Sequence, residues 1–255
     1  MKISVLTVCW NSAATIRHTI DSFFAQDHDD KELVIIDGNS SDETLAIVRS
    51  YPQDQVRLVS EPDGGMYDAL NKGLRLYTGD GVGVLNSDDC FHDRTVLGRI
   101  SVGLDKADIL HGNLNFVENH FNKRIVRCWR AAPRPAKGFR IGWMPAHPTF
   151  YVRRKVADAV GTFDVTFKVA SDYDWMLRAV ELHGFESITT DHVLVDMMVG
   201  GASTRSLASH IGHNLEALRS RRQWLGSGPL DYALVAKPLR KLGQFWNAQA
   251  LERDA

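Results

Sequence analysis

Five stretches of this chain carry side chains suited to cations, phosphates or sugar hydroxyls. Four of them, at Asn11, Asp37, Asp63 and the Asp88-Asp89 pair, each follow a short apolar run that reads as a strand. Adjacent carboxylates such as Asp88-Asp89 suit a hard divalent cation. Mg2+ or Mn2+ takes one or two carboxylates and leaves its other positions to water and substrate phosphates. Held there, it would neutralise charge developing on a departing diphosphate. Asp37, one strand over, could accept hydrogen bonds from a nucleobase or ribose. Taken singly, Asn and Asp are ordinary turn and cap formers. Their repetition at one edge favours a site, because carboxylates facing one crevice repel unless a cation or donor-rich ligand joins them. The fifth stretch, Ser171-Asp172-Tyr173-Asp174, puts Asp172 in the first turn of a helix. Free N–H groups there favour the ionised carboxylate, the state a general base needs. A plain helix cap is the competing reading of Asp172, and Asp174 is the alternative base.

The elements that must position these groups alternate. Ile3 to Val8, Leu33 to Ile36, Val56 to Ser60 and Val82 to Leu85 read as buried strands. Between them lie helical patterns at Ile16, Ile20, Phe23 and Phe24 and at Ala69, Leu70, Gly73, Leu74 and Tyr77. That alternation predicts a parallel sheet with crossover helices, whose ligands bind beyond the carboxyl ends of the strands. Ser40-x-x-Glu43 has the form of a capping box opening a further helix. Cys9-Trp10-Asn11-Ser12 stands where a dinucleotide fingerprint would begin, and Gly79-x-Gly81-x-Gly83 precedes a strand instead of following one. Neither a Walker lysine loop nor a G-x-S-x-G elbow occurs, so P-loop and serine-hydrolase chemistry are set aside.

With 255 residues, 44% hydrophobic and 9% aromatic, the chain can bury a large core. The 30 basic and 31 acidic residues give a formal charge of -1, which argues against nucleic acid as a partner. Three cysteines without a C-x-x-C pair support neither a disulfide framework nor a zinc site and fit a reducing compartment. No apolar run nears the roughly 20 residues a membrane span needs. The first ten residues loosely imitate a signal peptide, with Ser12-Ala13-Ala14 as a cleavage site, but a buried first strand explains them better. The expectation is a soluble, cytoplasmic protein.

The second half is less regular. Phe150-Tyr151-Val152 reads as a returning strand, Gly161 to Asp164 as a turn, and Ser171 to Arg178 as a helix that stops at Gly184. Seven basic residues between Asn122 and Arg140, with no acidic one, form either a solvated surface or a segment that meets phosphates. His147 could be structural or touch an acceptor, while His111, His183 and His192 read as structural. Trp129, Trp143 and Trp175 could stack on a sugar but more commonly fill a core.

The blocks Thr7 to Asn11, Ile36 to Asp42, Ser60 to Gly73 and Leu85 to Asp89 resemble family 2 glycosyltransferases, inverting enzymes of the GT-A fold. Ala146 to Phe150, Gly161-x-Phe163-Asp164, Ser171-Asp172-x-Asp174 and Gly200-Gly201 also look like the branch that builds bacterial capsule, O-antigen or exopolysaccharide. The resemblance implies an α/β, Rossmann-like and mostly parallel sheet flanked by helices, with a helical C-terminal tail. Residues 1–202 would form the catalytic domain, with 1–100 the nucleotide-sugar half and 101–202 the acceptor half, and 203–255 the extension. It implies a metal-dependent hexosyltransferase with a nucleotide-sugar donor, a UDP-sugar, and a glycan or polyprenyl-diphosphate-linked acceptor. Thr7 and Asn11 would line the nucleotide pocket, Asp37 would recognise the base, and Asp68 and Lys72 would join the donor-binding set. Asp88 would contact the ribose, Asp89 would hold Mn2+ or Mg2+, and Asp172 would be the catalytic base. Three positions depart from the pattern: Ser171 stands where a glutamate is usual, Asn86 where an aspartate is, and Leu70 where an arginine is. The alternative is a non-catalytic nucleotide-sugar or glycan-binding module of the same fold. A sugar-phosphate nucleotidyltransferase would need a glycine-rich basic loop where Cys9 to Ser12 stand.

In the tail, Ser203 or Thr204 caps a long helix with Leu207, Ile211, Leu215 and Leu218 on one side. Six basic residues from Arg219 to Lys241 interleave with Leu234, Leu239, Leu242, Phe245 and Trp246. That mixture suits the headgroup zone of an anionic membrane, and hence peripheral contact at the inner face. A helix packed on the catalytic domain or on a second subunit of a homodimer is the other reading.

Overall fold

The first four strands are apolar on both faces because helices cover both sides of the sheet they form. The computed structural model describes residues 1–200 and 207–226. In chain order these comprise β1 (Ile3–Cys9), α1 (Ile16–Phe24), β2 (Lys31–Asp37), α2 (Thr44–Arg49), β3 (Val56–Ser60), α3 (Met66–Leu74) and β4 (Gly81–Val84). There follow β5 (Asp89–Phe91), α4 (Val96–Lys106), β6 (Ile109–Val117), β7 (Ile125–Trp129), β8 (Tyr151–Arg153), α5 (Arg154–Val160), α6 (Ser171–Leu177), β9 (Ser187–Met198) and α7 (Leu207–Leu225). Successive side chains along a strand face opposite ways. Ile3, Val5, Leu33 and Ile35 therefore meet Ile16, Ile20 and Phe23 of α1 and Ile100 and Leu104 of α4. Leu6, Val34, Ile36 and Val84 meet Leu70 of α3, Val156 of α5 and Met176 of α6 on the other side.

The sheet runs β3-β2-β1-β4-β8-β6-β9-β5, with β7 paired to β6. The first four strands are parallel, as expected. Beyond β4 the expectation of a mostly parallel sheet gives way to a mixed one. There β8 is antiparallel to β4 and β6, β7 to β6 and β5 to β9, while β6 and β9 run parallel. The glycines before and within β4 have a packing cause: a Cβ on Gly83 would collide with the ring of Tyr151 on β8.

The capping box expected at Ser40 does not form. The α2 helix begins at Thr44, whose N–H and hydroxyl donate to Asp42, while Ser40 turns back to Asp37. The helix opened by Ser171 runs to Leu177 and continues as a π-turn to Leu182 before Gly184 adopts φ +66°. In α7, Leu218 is buried and Leu215 is exposed. The proposed caps Ser203 and Thr204, and the basic tail from residue 227 on, lie outside the described residues. Of the tail's basic residues that are described, Arg221 is buried against Tyr173 and Arg219 donates to Thr166. That part of the chain is packed on the protein. Among the described residues no helix is long and apolar enough to cross a membrane.

Glu32 fastens the far end of the sheet. Its carboxylate accepts from Ser4 Oγ at 2.5 Å, Thr78 Oγ1 at 2.6 Å and Gly79 N at 3.2 Å and pairs with Lys2 at 3.1 Å. Burial pushes the acid up, but the bonds from Ser4, Thr78 and Lys2 outweigh it and hold the group at about 2. The folded value lies below the unfolded one, so this stabilisation is present above the ordinary glutamate range and fades as pH falls toward 2. Allowing for solvent screening, Glu32→Gln should cost about 1–2 kcal/mol at pH 7 and little at pH 2.5. Urea unfolding at the two pH values checks this; an equal loss at both would refute it.

Candidate active site at the carboxyl edge of the sheet

Asp37 ends β2 and is fully buried, and it organises the loops after three strands. It accepts from Ser40 N at 3.0 Å, Ser40 Oγ at 2.5 Å and Ser60 Oγ at 2.7 Å, and Cys9 Sγ lies 3.7 Å away. A carboxylate has about four acceptor positions, so these partners leave it little to offer a base directly. Its influence on a ligand passes through the two serines. Asn11 takes the left-handed conformation at φ +48°. Its N–H donates to Ser40 Oγ at 2.8 Å and its Oδ1 accepts from Ser41 N at 2.9 Å. Thr7 is buried and donates to the Leu85 carbonyl at 2.8 Å, so it braces the pocket from behind and does not line it.

Reading strand ends for polar residues missed Trp10. The ring is 69% exposed at the mouth of this edge. A Cβ on Gly38 would come 3.5 Å from Trp10 Cδ1 and 2.7 Å from Asp63 Oδ2, so glycine keeps open a slot between an aromatic face and a carboxylate. The place of a tryptophan beside the turn residues Asn11 and Ser12 was the available signal.

The loop from Glu61 to Gly65 closes the next side. Asp63 Oδ1 accepts from Gly65 N at 2.8 Å and Asp68 Oδ2 from Gly64 N at 3.0 Å, around Gly65 at φ +116°. Lys72 pairs with Glu61 at 2.9 Å and donates to the Pro62 carbonyl at 2.8 Å. Asp68 and Lys72 therefore shape this loop.

The acidic pair after β4 divides. Asp89 opens β5, is fully buried, and accepts from Asn86 Nδ2 at 2.9 Å and Met198 N at 3.3 Å. Burial, reinforced by the charge of Asp88, pushes its carboxyl well above the usual range. Asp88 is half-buried, and its carbonyl accepts from His120 Nε2 at 2.7 Å. Asp88 is thus the less buried residue of the pair, while Asp89, the residue expected to meet a cation, is enclosed. Among the described residues no three His, Cys, Asp or Glu side chains cluster as a metal site. The donor set still fits a cation held through one carboxylate, with water and phosphate oxygens completing its shell.

Asp172 lies in the first turn of α6 with its side chain 20% exposed. Tyr67 of α3 donates to its Oδ1 at 3.3 Å, and His147 Nδ1 stands 4.0 Å from its Oδ2. Burial, then the charge of Asp172, pushes the Tyr67 phenol up, so it remains a donor. Burial lowers His147 against the pull of Asp172. One turn along α3, Asn71 exchanges bonds of 2.9 and 2.8 Å with the Phe163 backbone. The third sequence block thus joins the two halves of the site. Asp174 is buried and bonds Arg178, Ser220 and Trp224, which removes it as a base.

Residues 4–127 match the family model described as Glycosyl transferase family 2. That segment, just under half of the chain, is similar to a glycosyl transferase family 2 domain. It is 28% identical over 181 residues to a PGL/p-HBAD biosynthesis glycosyltransferase of Mycobacterium tuberculosis, covering 69% of this chain and 68% of that one. A second M. tuberculosis glycosyltransferase is 27% identical over 241 residues, 91% of this chain and 89% of its own. S. aureus TarS 1-349 in complex with UDP-GlcNAc superposes with a TM-score of 0.67 at 20% identity, covering 97% of this chain and 79% of that one. The mannosyltransferase PcManGT from Pyrobaculum calidifontis, in complex with GDP-Man and Mn2+, gives 0.66 at 21%, covering 100% and 75%. The chain spans 43% of the length of the longer TarS chain. The fold is GT-A-like, a curled mixed sheet flanked by helices.

Proposed function

We propose that the protein is an inverting glycosyltransferase. It moves a sugar from a UDP-sugar to a hydroxyl of a glycan or polyprenyl-diphosphate-linked acceptor in bacterial surface polysaccharide synthesis. The observation that carries this reading is a partly exposed carboxylate, Asp172, tied by Tyr67 to α3, the helix that follows the Glu61 to Gly65 loop. Trp10 offers a flat face to the base, Asp37 presents Ser40 and Ser60 beneath it, and Asn11 fixes Ser41 beside it. Asp88 would hold the divalent cation, Mn2+ or Mg2+, with Asp89 buried behind it. When bound, that cation supplies positive charge to the diphosphate.

Asp172 accepts the proton of the acceptor hydroxyl as its oxygen bonds the anomeric carbon. The bond from that carbon to the nucleotide diphosphate breaks, and its electron pair leaves with the diphosphate. One displacement from the face opposite the leaving group inverts the centre. A lipid-linked acceptor places the reaction at the inner membrane face, where Lys237, Arg240 and Lys241 would meet anionic headgroups.

A panel of UDP- and GDP-sugars with Mn2+ tests the donor class by thermal unfolding. A ligand at a hundredfold its Kd adds about 2.7 kcal/mol, which is roughly 5–10 °C for a chain of this size. One UDP-sugar should give that shift. If no nucleotide sugar exceeded the shift given by inorganic diphosphate, the proposal would be overturned.

A further inference from the structure

The helix that carries Asp172 opens without a side-chain cap. Its support comes from α7, which lies outside the family-model match. Glu216 accepts three consecutive backbone N–H groups at the approach to α6. Lys168 N reaches Oε1 at 2.9 Å, and Val169 N and Ala170 N reach Oε2 at 2.9 Å each. Charge-assisted bonds of this kind are roughly twice as strong as neutral ones, and three on one carboxylate fix a backbone direction. Beyond Asp172, Ser220 Oγ and Trp224 Nε1 both donate to Asp174 Oδ1 at 2.8 Å, and Arg221 donates to the Tyr173 hydroxyl at 2.8 Å. Before it, Arg219 donates to Thr166 at 2.9 Å and lies over the Phe167 ring. One helix therefore grips the chain on both sides of the reactive carboxylate.

We propose that Glu216 is a positioning residue for Asp172, setting the aim of its carboxylate by seating the amides of residues 168–170. This rests on the reading of Asp172 as the base. The geometric demand is strict, because a displacement of about 1 Å in a reacting group can cost a hundredfold in rate. None of these bonds involves Trp10, Asn11, Asp37 or Asp88, the residues assigned to the donor.

The test compares Glu216→Ala, Glu216→Gln, Asp172→Asn and Gln26→Ala in hydrolysis of the stabilising UDP-sugar with Mn2+. Gln26 is buried near α4, bonding Asp93 O and Leu97 N, and serves as a destabilised variant remote from the site. Glu216→Ala should lower kcat 10- to 100-fold with donor KM within twofold. Glu216→Gln, which keeps one acceptor oxygen for Val169 and Ala170, should recover much of that loss. Gln26→Ala should lower Tm with kcat unchanged. Unchanged kcat in Glu216→Ala beside an inactive Asp172→Asn would overturn the positioning role alone. Full activity in Asp172→Asn would overturn the underlying reading. If Glu216→Ala does not fold, equal kcat losses in Gln and in a Gln26-like destabilised control would also reject the role.

Discussion

Asp172→Asn should lower the transfer rate about a thousandfold while the donor Kd and Tm stay close to those of the parent. General-base catalysis contributes about 10²- to 10⁴-fold. The substitution removes that contribution with little else, because asparagine keeps an oxygen for the Tyr67 hydroxyl, the one protein donor within 3.5 Å described for this carboxylate. Asp174→Asn two residues on gives the contrast. Its carboxylate is buried and shared among Arg178, Ser220 and Trp224, so its loss should show first as lower stability. Breaking a buried pair of this kind costs about 3–5 kcal/mol. Single-turnover rates with the stabilising UDP-sugar, beside thermal unfolding, separate the two. More than a tenth of parental activity in Asp172→Asn would remove it as the base.

The parallel half of the sheet and the polar edge above it were readable because their signals are local. Apolar runs such as Leu33 to Ile36 end in Asp or Asn, and period and turn chemistry suffice to place them. The later strands were not. All of β6 is buried although it contains His111, Asn113 and Asn115. Its two asparagines find partners at a distance, Asn113 in the Asp191 carbonyl and Asn115 in Asp196, on a strand some eighty residues away in sequence. No window of sequence shows such partners. Ser40 failed as a cap for a related reason, since the buried Asp37 offered its hydroxyl a stronger partner than a helix start. Asp172 could be assigned to a first turn and ranked ahead of Asp174, but Ser220 and Trp224, the partners that occupy Asp174, arrive from α7.

The acidic pair shows the same gap, and it leads to the second large effect. Asp88 lies in the turn that leads into β5, and Asp89 is the first residue of the strand. Asp89 faces inward, where it receives Asn86 and the Met198 amide. Asp88→Asn should therefore weaken UDP binding in Mn2+ by about 30- to 100-fold, or about 2–3 kcal/mol, with little change in Tm. The same variant should bind UDP without added metal about as weakly as the parent does under chelation. Asp89→Ala should act the other way round. Leaving the Asn86 amide and the Met198 N–H without an acceptor in a buried position costs about 1–3 kcal/mol per group, read as a fall in Tm. UDP affinity in the fraction that stays folded should change only severalfold. Titration calorimetry of both variants with UDP and Mn2+ decides between them. If Asp89→Ala abolished Mn2+-dependent binding at unchanged Tm while Asp88→Asn bound normally, the cation would belong to Asp89, and β5 would have to open to admit it.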